Sequence, residues 1–419
     1  MTRLLLEPTP QETAGRIAAA SRSFDPIRVS RMRAAMQRHV DAGRVPGLVW
    51  LVSHRGREYA DAVGTMGYQS PDAMQLDTIF RLASMTKPIT AVGAMILIEE
   101  CRIRLDDPVD EWLPELANRR VLRTIDSPLD DTVPAKRPIT VRDLLTFRSG
   151  YGEVAFTAPT CPLQLAMTES RLPLGAWPFA ASAQEFMRRL GALPLASQPG
   201  ERWLYHMSAE ILGVLIARVT GQSLGAFLRE RIFDPLGMTD TAFSVPTTKL
   251  DRLPACYGAD MATGQLVVLD EAHGGWASKP PVFEGGGGGL VSTVHDMAAF
   301  GCMLLSGGVY DAERILSRPT IEAMTTDQLT AEQKAVSPFF DNMWDDHGWG
   351  FGLGVVTRRS EASAVPGRFG WEGAFGSSWF VDPNEGMVGV LMAQRRPDEL
   401  SIPPATRDFW TSAYQLIDD

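Results

Sequence analysis

Cysteine is scarce in this chain: Cys101, Cys161, Cys256 and Cys302 lie far apart and form no C-x-x-C pair. That excludes a disulfide scaffold and a zinc ribbon, and fits a reducing compartment. Basic charge is also short. Forty Lys plus Arg against fifty Asp plus Glu leave a net charge of −10, with no long basic run. Such a chain is poorly built to grip phosphate backbones, so nucleic acid is excluded as a partner. Long apolar runs are missing as well. The best, residues 89–98, stops at Glu99 and Glu100, short of the roughly 18 apolar residues of a membrane span. The opening MTRLLLEPTPQE offers three leucines and then an acid and two prolines, too little for the apolar stretch of a secretory signal. A soluble cytoplasmic protein with no membrane partner is expected.

The 45% hydrophobic and 21% charged residues are ordinary for folded domains, and 419 residues suffice for two. Both ends read as strands flanked by helices. Residues 27–42 place Ile27, Met32, Met36 and Val40 at helical spacing. An apolar run, a turn at His54-Arg55-Gly56 and a second extended run then read as a hairpin. Near the C-terminus, residues 377–381 and 387–393 read as strands around the turn Asp382-Pro383-Asn384-Glu385-Gly386, before a closing helix at 405–417. The middle reads as short helices at 139–147, 183–190, 209–219 and 224–232, separated by Pro- and Gly-rich loops. These patterns predict an α/β fold, with 1–100 and 280–419 forming a discontinuous α/β domain and 101–279 an inserted α-helical domain.

Three segments carry candidate chemistry. Ser84-Met85-Thr86-Lys87 follows a strand-like run at 78–82 and opens a helical pattern. Residues i and i+3 share a helix face, so the Lys87 amine can sit beside the Ser84 hydroxyl and activate it as a nucleophile. Helix N-terminal amides also point where an oxyanion would form. The plain alternative is a capping serine with a solvated lysine nearby. Tyr205, just before the helix at 209–219, can present its phenol to a cleft, and a neighbouring ammonium would favour the phenolate. Alone, it is equally a core aromatic. Gly370-Trp371-Glu372-Gly373-Ala374-Phe375-Gly376 precedes a predicted strand, and its glycines let backbone approach a ligand closely.

Together these motifs resemble the serine β-lactamase and penicillin-binding-protein superfamily, closest to the class C β-lactamase-like carboxylesterases of esterase family VIII. The connecting segments ITVRDLLTFRSGYG, GQSLGAFLRERIFDPLGMTDTAF, GGGGGLVSTVHDMAAFG and WGFGLGVV agree, in the expected order. The resemblance implies an antiparallel sheet flanked by helices with an inserted all-helical domain. It also implies two-step acyl transfer, with Ser84 as nucleophile and Lys87 with Tyr205 moving protons. The backbone N–H groups of Ser84 and Ala374 would form the oxyanion hole. Trp371, Gly373 and Tyr151 would contact the substrate, a small-molecule ester, with no metal or organic cofactor. Two departures matter: Tyr205-His206-Met207 replaces Tyr-x-Asn, and Trp371-Glu372-Gly373 replaces Lys-Thr-Gly. That lysine helps to bind the carboxylate of β-lactams. A charged hydrogen bond contributes ~1.5–3 kcal/mol, so its loss weakens carboxylate recognition roughly 10- to 100-fold. An indole suits neutral esters better.

Three other patterns lack the context their motifs need. Gly221-Gln222-Ser223-Leu224-Gly225 matches G-x-S-x-G, but a helix precedes it where a nucleophile elbow needs a strand, so Ser223 reads as a helix N-cap. The glycine run at 285–289 lacks the G-K-[ST] of a phosphate loop; the resemblance implies a tight approach of backbone near the cleft there. Asp341, Asp345, Asp346 and His347 read as an acidic loop rather than a metal site.

Overall fold

The strand β1 (Gly47–His54) reads GLVWLVSH, apolar at nearly every position, because it is covered on both faces. Successive side chains of a strand point to opposite faces. Leu48, Trp50 and Val52 pack with Met32, Met36, Phe409 and Trp410, whereas Val49 and Leu51 enter the larger core with Phe300, Ile89 and Trp379. The computed structural model describes residues 24–418 apart from 155–160, 176, 261, 341 and 399–401.

Around β1 lies a seven-stranded sheet with β2 (Arg57–Gly64), β3 (His347–Trp349), β4 (Gly354–Val356), β5 (Phe369–Glu372), β6 (Ser378–Asp382) and β7 (Met387–Met392). Its order is β3-β4-β5-β6-β7-β1-β2 and every pairing is antiparallel. The pairing of β1 with β7, from Val49 opposite Met392 to His54 opposite Met387, joins the two ends of the chain in one sheet. Helices α1 (Pro26–Asp41) and α5 (Pro404–Gln415) cover one face, and α4 (Val294–Leu305) packs on the other. Behind α4's face run α2 (Thr86–Glu99), buried nearly throughout, and α3 (Met207–Thr220), which packs against it. A helix apolar on all sides belongs in a core, and α2 ends where Glu99 and Glu100 reach the surface.

The expected architecture of an antiparallel sheet flanked by helices is what the chain adopts. The segment 101–279 is not all-helical: short helices are joined by long turns and loops, and it carries two short antiparallel ribbons, Arg120–Leu122 with Thr132–Pro134 and Cys256–Ala259 with Leu266–Asp270. These ribbons of three to five residues are too short to stand out in the sequence. The helix expected over 224–232 also divides, into Leu224–Leu228 and a wider π-turn at Arg229–Phe233. No single described helix is long and apolar enough to cross a membrane.

A buried ion pair anchors the chain just ahead of Ser84. Arg81, in the two-residue strand Phe80–Arg81, donates through Nε to Asp270 Oδ2 at 2.5 Å and through Nη1 to the Pro254 carbonyl at 2.7 Å. Asp270 also accepts from the Trp276 amide at 2.6 Å. Removing one partner of a buried pair leaves the other charge uncompensated. Asp270→Ala is therefore expected to lower unfolding free energy by about 3–5 kcal/mol in a urea titration; a wild-type midpoint would show that this pair does not hold the segment.

Candidate active site

Ser84 sits in a 3-10 turn, Ala83–Met85, that leads into α2. The turn has no side-chain cap, so Ser84's hydroxyl is free of the capping role that the plain reading allowed. Ala83 adopts a positive φ of 46°, costly for a residue with a Cβ, which aims the turn. One helical turn on, Lys87 Nζ lies 2.9 Å from Ser84 Oγ. It also donates to the Gly287 carbonyl at 2.6 Å and lies 3.1 Å from His206 Nδ1. Lys87 is buried, and desolvation lowers its pKa to about 7 against the opposing pull of Glu210 and Glu153. An amine with a pKa near 7 is about half unprotonated at pH 7, and that form can accept the serine proton.

Tyr205 completes the group. Its hydroxyl hydrogen-bonds with Ser84 and accepts from Trp371 Nε1 at 2.7 Å, and Lys87 Nζ lies 4.6 Å from its ring centre. Burial pushes the phenol well above its ordinary value, outweighing those hydrogen bonds. This corrects the expectation of a lysine-stabilised phenolate: the ring is walled by Phe147, Trp203 and Phe339, and the Lys87 pKa is itself lowered to about 7. Tyr205 is a neutral hydrogen-bond donor. Trp371 is more than an apolar wall, since its N–H fixes the phenol oxygen.

The end of β5 meets the serine turn backbone to backbone. A Cβ on Gly373 would lie 2.6 Å from the Leu82 carbonyl, so glycine is required for this approach. It brings the following Ala374 to the serine turn, and the Ala374 amide has no backbone acceptor among the described residues. Tyr151 differs from expectation. It is fully buried, and its hydroxyl donates to the Leu193 carbonyl at 2.9 Å. A phenol satisfied in this way is a core residue, which corrects its placement against the substrate.

Several site residues carried no clear signal in the sequence. His206 is the centre of a rare positive-φ γ-turn, φ 72° and ψ −61°, closed by Met207 N–H to the Tyr205 carbonyl at 3.0 Å. Its ring is buried and its pKa is lowered by desolvation and by Lys87. Glu210 Oε1 lies 3.1 Å from His206 Nε2; the i, i+4 spacing of these residues was the available clue. Glu153 is buried nearby, and desolvation raises its pKa to about 7.

The other patterns separate from the site. Ser223 caps Leu224–Leu228, accepting from the Ala226 amide at 3.2 Å and donating to Glu284 at 3.3 Å. Histidines 273, 295 and 347 lie against Asp251, Glu58 and Asp346 instead. Asp341 lies outside the described residues, and no cluster of three or more possible ligands for a metal ion occurs among the described ones.

Ser84 beside a buried lysine sits in a fold of the penicillin-binding-protein type, and the relatives below make the protein a serine hydrolase. The chain belongs to the Beta-lactamase family, whose model matches residues 32–408. It is 37% identical over 376 residues to Protein Rv1367c of Mycobacterium tuberculosis, covering 87% of this chain and 90% of that one. It is 29% identical to Esterase EstB of Burkholderia gladioli, covering 91% and 96%. Among solved structures, EstCE1, titled a hydrolase with promiscuous acyltransferase activity, superposes with a TM-score of 0.74 at 24% identity, over 92% of this chain and 98% of that one.

Gly373→Ala tests the close approach. Inserting a methyl against a fixed carbonyl costs typically ~1–3 kcal/mol, and the strain falls on the serine turn. The expected outcome is a fall in kcat toward ester substrates of at least about tenfold, the rate equivalent of 1.36 kcal/mol, with the far-UV spectrum unchanged. Wild-type kcat would show that the turn does not depend on this contact.

Proposed function

We propose that the protein is a carboxylesterase that hydrolyses short-chain neutral esters through an acyl-enzyme on Ser84. The observation that carries this reading is the 2.9 Å contact between Ser84 Oγ and a buried Lys87 with its pKa lowered to about 7. Lys87 takes the serine proton as Oγ attacks the ester carbonyl, and the oxyanion is held by the amides of Ser84 and Ala374. The leaving alkoxide takes a proton from the Tyr205 hydroxyl, which Lys87 ammonium restores. Water then attacks the acyl-enzyme by the same route in reverse, releasing the acid and free Ser84. None of these steps uses a metal or organic cofactor.

Trp371, standing where the resemblance would place a lysine, favours neutral esters over carboxylate-bearing β-lactams. A cavity of about 240 Å³ beside the site supports an apolar substrate. Its wall includes Trp177, Phe179, Phe243, Phe283 and Phe375, together with Glu210 and the charged Arg81 and Lys279. The same cavity favours a second reading, transfer of the acyl group to an apolar alcohol instead of water.

A fluorophosphonate separates the two serines that match hydrolase motifs. Peptide mass spectrometry should place the label on Ser84, Ser84→Ala should lose labelling and ester hydrolysis together, and Ser223→Ala should keep both while losing about 1 kcal/mol of stability as a missing cap. A label on Ser223 would overturn the assignment.

The pH profile follows from Lys87 acting as the base. Activity needs the neutral amine, so kcat/KM for p-nitrophenyl butyrate should fall as pH drops through about 7 and level off above it. Glu153 titrates in the same window, so the limb belongs to the pair. A profile flat from pH 5 to 9 would remove Lys87 as the base.

A further inference from the structure

The motif Tyr205-His206-Met207 and the glycine run at 285–289 meet at Lys87. We propose that His206 and Glu210 are a positioning pair that aims the Lys87 lone pair at Ser84, an inference that rests on the acyl-enzyme reading above.

A neutral lysine has two N–H groups and one lone pair. Three atoms surround Lys87 Nζ: the Gly287 carbonyl at 2.6 Å, His206 Nδ1 at 3.1 Å and Ser84 Oγ at 2.9 Å. A carbonyl oxygen only accepts, so the first N–H goes to Gly287. Which way the second goes depends on the histidine tautomer. His206 Nε2 lies 3.1 Å from Glu210 Oε1 inside the protein, an ion-pair contact that is not aligned as a hydrogen bond, and no other acceptor among the described residues meets that nitrogen. A carboxylate offers lone pairs only, so the proton of a neutral imidazole belongs on Nε2 and Nδ1 is left as an acceptor. The second lysine N–H therefore goes to His206, and the lone pair remains for the Ser84 hydroxyl. After proton transfer, the third N–H of the ammonium points back at Ser84 and the other two bonds persist.

The surroundings are built to this pair. A Cβ at Gly287 would lie 2.7 Å from Glu210 Oε1 and 2.9 Å from His206 Cε1, and one at Gly285 would lie 3.0 Å from Glu210 Oε2. The glycine run thus lies directly on the pair and supplies the Gly287 carbonyl from the same segment. The γ-turn is the second device, since its positive φ at a non-glycine residue persists only where surrounding contacts hold it. The groups facing Lys87 are Ser84, Tyr205, His206, Glu210, Glu153 and the glycine-run backbone.

The test uses the second-order rate of fluorophosphonate labelling at Ser84 against pH, with circular dichroism and thermal midpoint as controls of folding. His206→Leu is expected to slow labelling on the high-pH plateau by about 10- to 100-fold, the usual cost of losing an orienting partner. His206→Asn should restore most of the rate, because its Oδ1 stands near the Nδ1 position and Asn tolerates positive φ. Glu210→Gln should move the acid limb to lower pH, because the lost anion no longer favours the ammonium. Wild-type rates in His206→Leu would overturn the proposal. So would a slow His206→Leu matched by an equally slow His206→Asn and an unshifted Glu210→Gln, which is the signature of packing alone. If His206→Leu does not fold, the other two variants decide by the same criteria. A wild-type protein that is never labelled at Ser84 would instead undo the reading on which the pair rests.

Discussion

Burying the Lys87 amine is the constraint from which the rest of the site follows. In water a lysine is a cation at neutral pH and useless as a base. Here α2 carries it into a region without solvent, where desolvation lowers its pKa to about 7. A group so placed must have every hydrogen satisfied, since an unpaired polar group inside a protein is costly. Ser84, His206 and the Gly287 carbonyl meet that need. In the proposed mechanism those same partners also direct the lone pair, so burial and proton transfer draw on one set of contacts.

Tyr205 is subject to the same logic with the opposite result. Phe147, Trp203 and Phe339 strip water from its ring, which keeps the phenol protonated. The phenol stays neutral beside an amine that is about half unprotonated at pH 7, and both stand next to Ser84. The sheet contributes through its edge of contact with the serine turn. Gly373 lets β5 end against Leu82, and Trp371, two residues earlier, fixes the phenol oxygen. Strand β5 therefore governs both the Ala374 amide and the tyrosine.

Much of this was legible in the sequence where one element carries the information. The i, i+3 spacing of Ser84 and Lys87 defines their contact within a single turn, and the cap at Ser223 follows from local pattern. Strands β1, β6 and β7 announce themselves as apolar runs between turn residues, whereas β3, β4 and β5, of three or four residues, do not. What escaped depends on distant parts of the chain meeting. His206 reaches Lys87 across 119 residues; the glycine run was expected near the cleft, but not that its carbonyl reaches Lys87 across 200. Tyr151 follows a Ser-Gly pair that suggests a cleft, but its hydroxyl finds Leu193 and the ring stays in the core. The direction of the Tyr205 shift could not be read from the motif, because it depends on how completely three other aromatic side chains enclose the ring.

Lys87 as a neutral base can be observed without any substrate. Protein labelled with 13C at lysine Cε, compared with Lys87→Met to assign the signal, can be titrated by NMR from pH 5 to 11. A resonance that titrates with a midpoint near 7 is the predicted result. A Lys87 signal that titrates with the surface lysines near pH 10 would show an ammonium at neutral pH and contradict the account.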